Sequence, residues 1–245
     1  MVQDFLAQAP APDGPPPKAL IAPHAGYIYS GAIAGSAYVY LERDCQVIRK
    51  IILLGPSHHA PFRGLATSPA DAFATPLGEV ALDLKAIARI ESLPQVKAFD
   101  AAHEPEHCLE VQLPFLQLML GDFELVPLLV GEATPREVGG VLEALWGGPE
   151  TRIVVSSDLS HYHSYQIARS LDEATAQAIE ALQWEDLEDD QACGCRPIRG
   201  LLHEAHKLGL TAKRVDLRNS GDTAGPRDRV VGYGAFVFYS PAPRL

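Results

Sequence analysis

Basic patches, membrane-spanning runs and nucleotide-binding loops are all missing from this sequence. Its 245 residues hold no lysine- or arginine-rich run, and the 31 acidic against 20 basic side chains give a formal net charge of −11. A protein that grips phosphates needs a basic footprint, so no nucleic-acid partner is expected. No apolar stretch is long enough to cross a bilayer, and the start of the chain lacks the basic-then-apolar pattern of a signal peptide, so no membrane partner is expected. The four cysteines, Cys45, Cys108, Cys193 and Cys195, form no C-x-x-C pair, and the expectation is free thiols in a reducing, cytoplasmic setting. Neither a G-x-x-x-x-G-K-S/T loop nor a G-x-G-x-x-G turn occurs, so no nucleotide cofactor is expected. A G-x-S-x-G elbow of the α/β-hydrolase type is also missing.

What is present is ordinary in bulk, with 47% hydrophobic and 21% charged residues, and the length is ample for a sizeable core. Short apolar runs alternate with helical patterns. Strands are expected at 18–22, 49–54, 62–67, 78–82, 123–130 and 151–156, and helices at 31–41, 82–91, 109–120, 134–146, 166–183 and 197–208. An antiparallel pair, 211–219 and 229–239, closes the chain around the polar, Gly-rich segment 220–226. This order predicts an α/β fold: a three-layer α/β/α sandwich with a mixed, largely parallel central sheet. Residues 1–245 read as a single domain, with 1–17 a Pro-rich lead-in that cannot stay helical beyond Ala9.

Three polar clusters follow three of the apolar runs: Pro23-His24-Ala25-Gly26-Tyr27, Gly55-Pro56-Ser57-His58-His59 and Ser156-Ser157-Asp158-Leu159-Ser160-His161. Parallel strands gather their C-terminal ends on one edge of a sheet, where ligands bind, so these clusters are expected to converge. Taken singly, each has a plainer reading. His24 suits a ligand or a turn that caps a carbonyl. Of His58 and His59, adjacent on an extended segment, one enters a site and the other faces away, and the sequence does not choose. Asp158 and His161 share a face if a helical turn starts after Ser157, which fits an oriented acid–base pair, although Ser157 or Asp158 also suits an N-cap. Cys193 lies before a helix opened by Pro197, where the dipole would favour its thiolate, or else it is a core thiol.

His103-Glu104-Pro105-Glu106-His107 matches the H-E-x-x-H zinc-protease pattern. That chemistry requires both imidazoles on one face of a continuous helix. Pro105 is expected in the first turn of the helix over 109–120, which leaves His103 outside it. A protease is therefore rejected, and Glu106 and His107 stand as residues at the edge of a site.

Taken in order, Ile21-Ala22-Pro23-His24-Ala25-Gly26-Tyr27, Leu54-Gly55-Pro56-Ser57-His58-His59, the run from Glu106 to Phe115, Ser156-Ser157-Asp158-Leu159-Ser160-His161-Tyr162, Cys193-Gly194 and Ser220-Gly221-Asp222 resemble the Memo family, whose prokaryotic members are called AmmeMemoRadiSam system protein B. The resemblance covers almost the whole chain. It implies a fold like that of the LigB-like class III extradiol dioxygenases, which use non-haem iron. It further implies metal ligands at His24, His58 and Cys193, and catalytic roles in the same cleft for Asp158, as orienting group, and His161, as proton carrier. His59, Glu106, His107, Tyr27 and Asp222 complete the implied cleft. With a thiolate where the dioxygenases have a carboxylate, the implied ion is Fe(II) or Cu, with Zn also fitting, and the implied activity is metal-dependent redox chemistry rather than ring cleavage. The alternative the family offers is phosphopeptide or small-ligand binding in that cleft without catalysis. The resemblance also implies a pathway shared with a radical SAM enzyme and an AMMECR1-like protein. Family members usually begin with a further R-x-x-x-A-G-x-F-Y-like segment, and this chain, starting Met1-Val2-Gln3-Asp4-Phe5, is expected to lack it.

Overall fold

Four strands, buried along almost all of their length, form the middle of the structure, a computed structural model that describes residues 1–241. In chain order the elements are α1 (Val2–Gln8), β1 (Ala19–Ala22), α2 (Tyr27–Tyr38), β2 (Lys50–Pro56), β3 (Leu65–Thr67), β4 (Ala72–Thr75), β5 (Gly78–Ala81), α3 (Leu84–Ile90), β6 (Val96–Ala98), α4 (Asp100–His103) and α5 (Leu113–Leu120). They continue with β7 (Glu124–Val130), α6 (Pro135–Leu145), β8 (Thr151–Ser156), β9 (His161–His163), α7 (Tyr165–Glu180), α8 (Cys195–Lys207), β10 (Thr211–Asn219) and β11 (Val230–Tyr239).

The main sheet runs β10-β11-β1-β8-β2-β7-β3-β6, and β9 pairs with β11 off this path. Strands β1, β8, β2 and β7 are mutually parallel, while β11 lies antiparallel to β1 and β3 antiparallel to β7. Each of the four parallel strands carries a continuous apolar run, as residues buried on both sheet faces do. Helices cover the sheet. One group joins α1, α2 and α5, and another joins α3, α6 and α8. The sheet is thus the mixed, mostly parallel one that the alternation of runs predicts. Among the described residues, no helix is long and apolar enough to cross a membrane.

Local chemistry explains the element ends. Thr134 caps α6 with a full capping box, in which its hydroxyl accepts from the Glu137 N–H and Glu137 accepts in return from the Thr134 N–H. Pro114 lies in the first turn of α5, where its missing N–H costs nothing, so it opens that helix instead of breaking it. The lead-in makes α1, whose Phe5 packs against Gly31 of α2 so closely that a Cβ at Gly31 would sit 2.2 Å from the Phe5 ring.

Two readings change, and three short strands are added. The 109–120 helix is a 3-10 turn over Glu110–Gln112 followed by α5, and Pro105 belongs to neither; it lies in the turn after α4. The helical turn that would put Asp158 and His161 on one face does not form: residues 157–160 have no regular structure and lead into β9. Strands β4, β6 and β9, of three or four residues, are too short to show a period.

Leu53 is fully buried at the middle of β2, paired with Pro127 on one side and Val154 on the other. Leu53→Ala is expected to cost about 2–5 kcal/mol of stability. Urea unfolding should show a lower midpoint at an unchanged m-value.

Candidate metal centre

The parallel register brings the polar clusters together. Ala22 of β1 pairs with Ser156 of β8, and Pro56 of β2 pairs with Val130 of β7, so the chain leaves all four strands along one edge. His24, His58 and Cys193 meet there, each offering one ligand atom within 4.8 Å of the others. His24 Nε2 lies 3.3 Å from Cys193 Sγ. Two ligands of one tetrahedral ion, with bonds of about 2.1 Å to nitrogen and 2.3 Å to sulfur, stand about 3.6 Å apart, so this spacing suits a shared ion.

The hydrogen bonds fix which nitrogen of each ring faces the centre. The Ser156 hydroxyl donates its one proton to the Cys108 carbonyl at 2.6 Å. Toward His24 Nδ1, 3.0 Å away, it is left to accept. Nδ1 therefore carries the proton and Nε2 presents a bare lone pair to Cys193. His58 is set the same way, because its Nδ1 lies 2.9 Å from Glu106 Oε2 and a carboxylate only accepts. Nε2 is again the nitrogen left to bind. This is how carboxylates and hydroxyls commonly orient metal-binding histidines.

Charge around the centre points the same way. Burial lowers the His24 pKa, the Asp158 carboxylate opposes this, and the neighbouring His58, His107 and His161 add to it. His24 is thereby held neutral, as a ligand must be. Glu106 goes the other way. Burial alone would raise its pKa, but the ring and backbone N–H groups of His58 outweigh that and hold it to about 2.

Cys193 differs from the helix-dipole expectation. Gly194 is the N-cap of α8, so the thiol lies outside the helix. Burial first, and then the Asp158 carboxylate, push its pKa up to about 12. It is a protonated thiol that an ion must deprotonate. Gly194 keeps the thiol in place by close approach: a Cβ there would sit 2.6 Å from Ser157 Cβ and 3.0 Å from the Ser156 carbonyl. The Asp158 N–H points at Cys193 Sγ at 3.3 Å.

The remaining sequence-predicted residues divide. Asp158 accepts the backbone N–H groups of His24 and Ala25 at 2.8 and 3.2 Å, and its other oxygen lies 3.9 Å from His24 Nε2. Without the helical turn it orients the His24 segment, and among the described residues no hydrogen bond joins it to His161. His161 stands on β9 opposite Val231, close enough for its charge to act on His24. The next residue, Tyr162, has φ 64, a left-handed backbone uncommon outside glycine.

His107 is a third imidazole at the centre, its ring 5.9 Å from His24 and 6.1 Å from His58. His103, its partner in the apparent protease motif, points elsewhere, to the Ala66 carbonyl. His59 is not among the converging donors; with His58 it lines a cavity of about 560 Å³ whose wall includes Phe62, Arg63 and Arg196. Tyr27 is structural, its hydroxyl donating to the Val111 carbonyl. Asp222 is a correction. It caps the turn at Asn219, accepts from the Tyr165 hydroxyl and lines a different cavity with Asp172 and Arg218, because the 220–222 turn packs toward α7.

Sequence reasoning missed Ser156, Gln112 and Cys108 as parts of the site. Gln112 is fully buried, donating to Ser156 Oγ at 2.8 Å and to the Pro23 carbonyl at 2.9 Å while accepting from the Tyr38 hydroxyl. A glutamine inside an apolar helical run and a serine ending an apolar strand were the available signals, since buried polar side chains must find partners.

Comparison with known proteins agrees with these motifs. The family described as Memo-like protein matches residues 1–237. The chain belongs to the Memo-like family. MEMO1 family proteins of Saccharolobus islandicus (strain M.14.25 / Kamchatka #1) and Aquifex aeolicus (strain VF5) are each 36% identical, over 90% and 91% of this chain and 82% and 86% of their own lengths. A crystal structure of an uncharacterized protein from Escherichia coli K12, JW3007, superposes with a TM-score of 0.54 at 14% identity, covering 89% of this chain and 98% of that one. That likeness shows the fold alone.

The Glu106 carboxylate gives this Memo-like chain a pH signature. Its pKa is lowered by folding, so its contribution is complete above the ordinary value of 4.5 and is lost as the pH falls toward about 2. The stability difference between wild type and Glu106→Gln should be constant above about pH 4.5 and shrink toward zero by about pH 2. Chemical denaturation across that range measures it.

Proposed function

We propose that this chain is a metal-dependent redox protein in which His24, His58 and Cys193 hold one Fe or Cu ion. The observation that carries this reading is the meeting of ligand atoms of His24, His58 and Cys193 within 4.8 Å, with each ring engaged through Nδ1, by Ser156 or by Glu106. Two imidazoles and a thiolate suit Fe(II) and copper, and they also accept zinc.

The ion, when bound, supplies one-electron chemistry and open coordination positions. The protein supplies the rest. Ser156 and Glu106 keep both rings in the ligating tautomer. Asp158 fixes the loop carrying His24. His161, on the strand beside the site, is the group assigned to proton transfer. The cavity beside His58 and His59, with Phe62 on its wall, gives a small organic substrate room next to the centre.

Protein purified anaerobically should carry near-stoichiometric Fe or Cu, and Cys193→Ser should lose most of it. Ser156→Ala, which leaves every ligand in place, is expected to weaken metal affinity by about 10–100-fold. Elemental analysis and competition with a chromogenic chelator read both effects. Wild-type protein that binds neither metal under reducing conditions would end the proposal.

A further inference from the structure

The His58 ring has donors on both of its sides. Nδ1 lies 2.9 Å from Glu106 Oε2, which leaves Nε2 for the first centre, and beside Glu106 lies a thiol the first centre does not use. His58, Glu106 and Cys108 offer three ligand atoms within 4.8 Å of one another. Glu106 Oε1 is taken by the backbone N–H groups of His58 and His59, so Oε2, 2.9 Å from Nδ1, is the oxygen free to bind. The Cys108 sulfur lies within 4.8 Å of the same carboxylate. Its Sγ also lies 3.3 Å from the Pro56 carbonyl, a further oxygen at this edge. The Cys108 residue is 0% exposed and the Glu106 side chain 2% exposed, while the His58 side chain is 30% exposed, so two of the three donors are buried and the site opens to solvent at His58.

We propose that the chain binds a second divalent ion among His58 Nδ1, Glu106 Oε2 and Cys108 Sγ, with the His58 ring bridging the two ions. The second site rests on the first reading in one respect: His58 is shared. Charge permits a pair. Two divalent cations carry four positive charges. Two thiolates, one bridging imidazolate and the carboxylates of Glu106 and Asp158 carry five negative ones, so the filled pair leaves a single net negative charge where larger buried charge would be expensive. Filling both sites releases three protons to solvent, from Cys193, Cys108 and His58 Nδ1, and no electron changes hands. One nitrogen, one oxygen and one sulfur suit Zn(II), Co(II) or Cu(II).

The test is an anaerobic titration of the full metal-free chain with Co(II). Sulfur-to-cobalt charge-transfer absorbance is followed, and bound cobalt is counted by equilibrium dialysis. Wild type should bind two ions per chain and gain charge-transfer intensity with each. Cys108→Ser and Cys108→Ala, checked for folding by circular dichroism, should each bind one ion and retain the intensity due to Cys193. A wild-type stoichiometry of one, or two ions that persist in both Cys108 variants, overturns the second site. If that single ion is lost in Cys193→Ser, the first centre stands alone. No bound cobalt in wild type overturns both.

Discussion

The hydroxyl of Ser156 has one proton to give, and the geometry of the centre depends on where it goes. It goes to the Cys108 carbonyl, which obliges the hydroxyl to accept from both Gln112 and His24. The buried ring of His24 is thereby fixed in one tautomer and one orientation. The same oxygen joins β8, the segment before α5 and the loop after β1. Gln112 extends the network to Tyr38 at the end of α2. Every member is buried, so each lost partner would leave a polar group without water or protein to satisfy it. The network therefore couples the shape of the site to the packing of the core.

Above this network the sheet acts as a positioning device. Parallel pairing sets β1, β8 and β2 side by side, and their ends deliver His24, Asp158 and His58 to one edge. Cys193 comes from the opposite direction, ahead of α8, and reaches the edge only because Gly194 lies against Ser156 and Ser157. A similar close approach holds Cys108: a Cβ at Gly55 would sit 2.7 Å from its sulfur. Both thiols near the centre are thus held beside glycines that leave no room for a side chain.

Electrostatics divides the two acidic side chains nearest the centre into different tasks. Asp158 spends one oxygen on two backbone N–H groups and so shapes a loop. Glu106 binds backbone with one oxygen and an imidazole with the other, so it shapes a loop and selects a tautomer at once. Neither carboxylate serves His161, and the orienting role expected for Asp158 falls on His24 instead.

Much of this was legible in the chain. The apolar runs at 19–21, 51–54 and 153–155 read as short buried strands and 123–130 as a central one, and the rule that parallel strands present their ends together predicted that the clusters holding His24, His58 and Asp158 would converge. The motif order identified the family. Other features needed the tertiary structure. Which of His58 and His59 turns inward depends on Glu106, 48 residues away in sequence. The Asp158–His161 relation failed because pairing of β9 with β11 outweighed a local helical turn, and Asp222 moved to another cavity because its turn packs on α7. Sequence by itself determined the sheet, its core and the residue types at its edge, because burial and periodicity are local properties of the chain. The tertiary structure alone decided tautomers, thiol protonation and which donors share a centre, because these depend on contacts between segments the sequence keeps far apart.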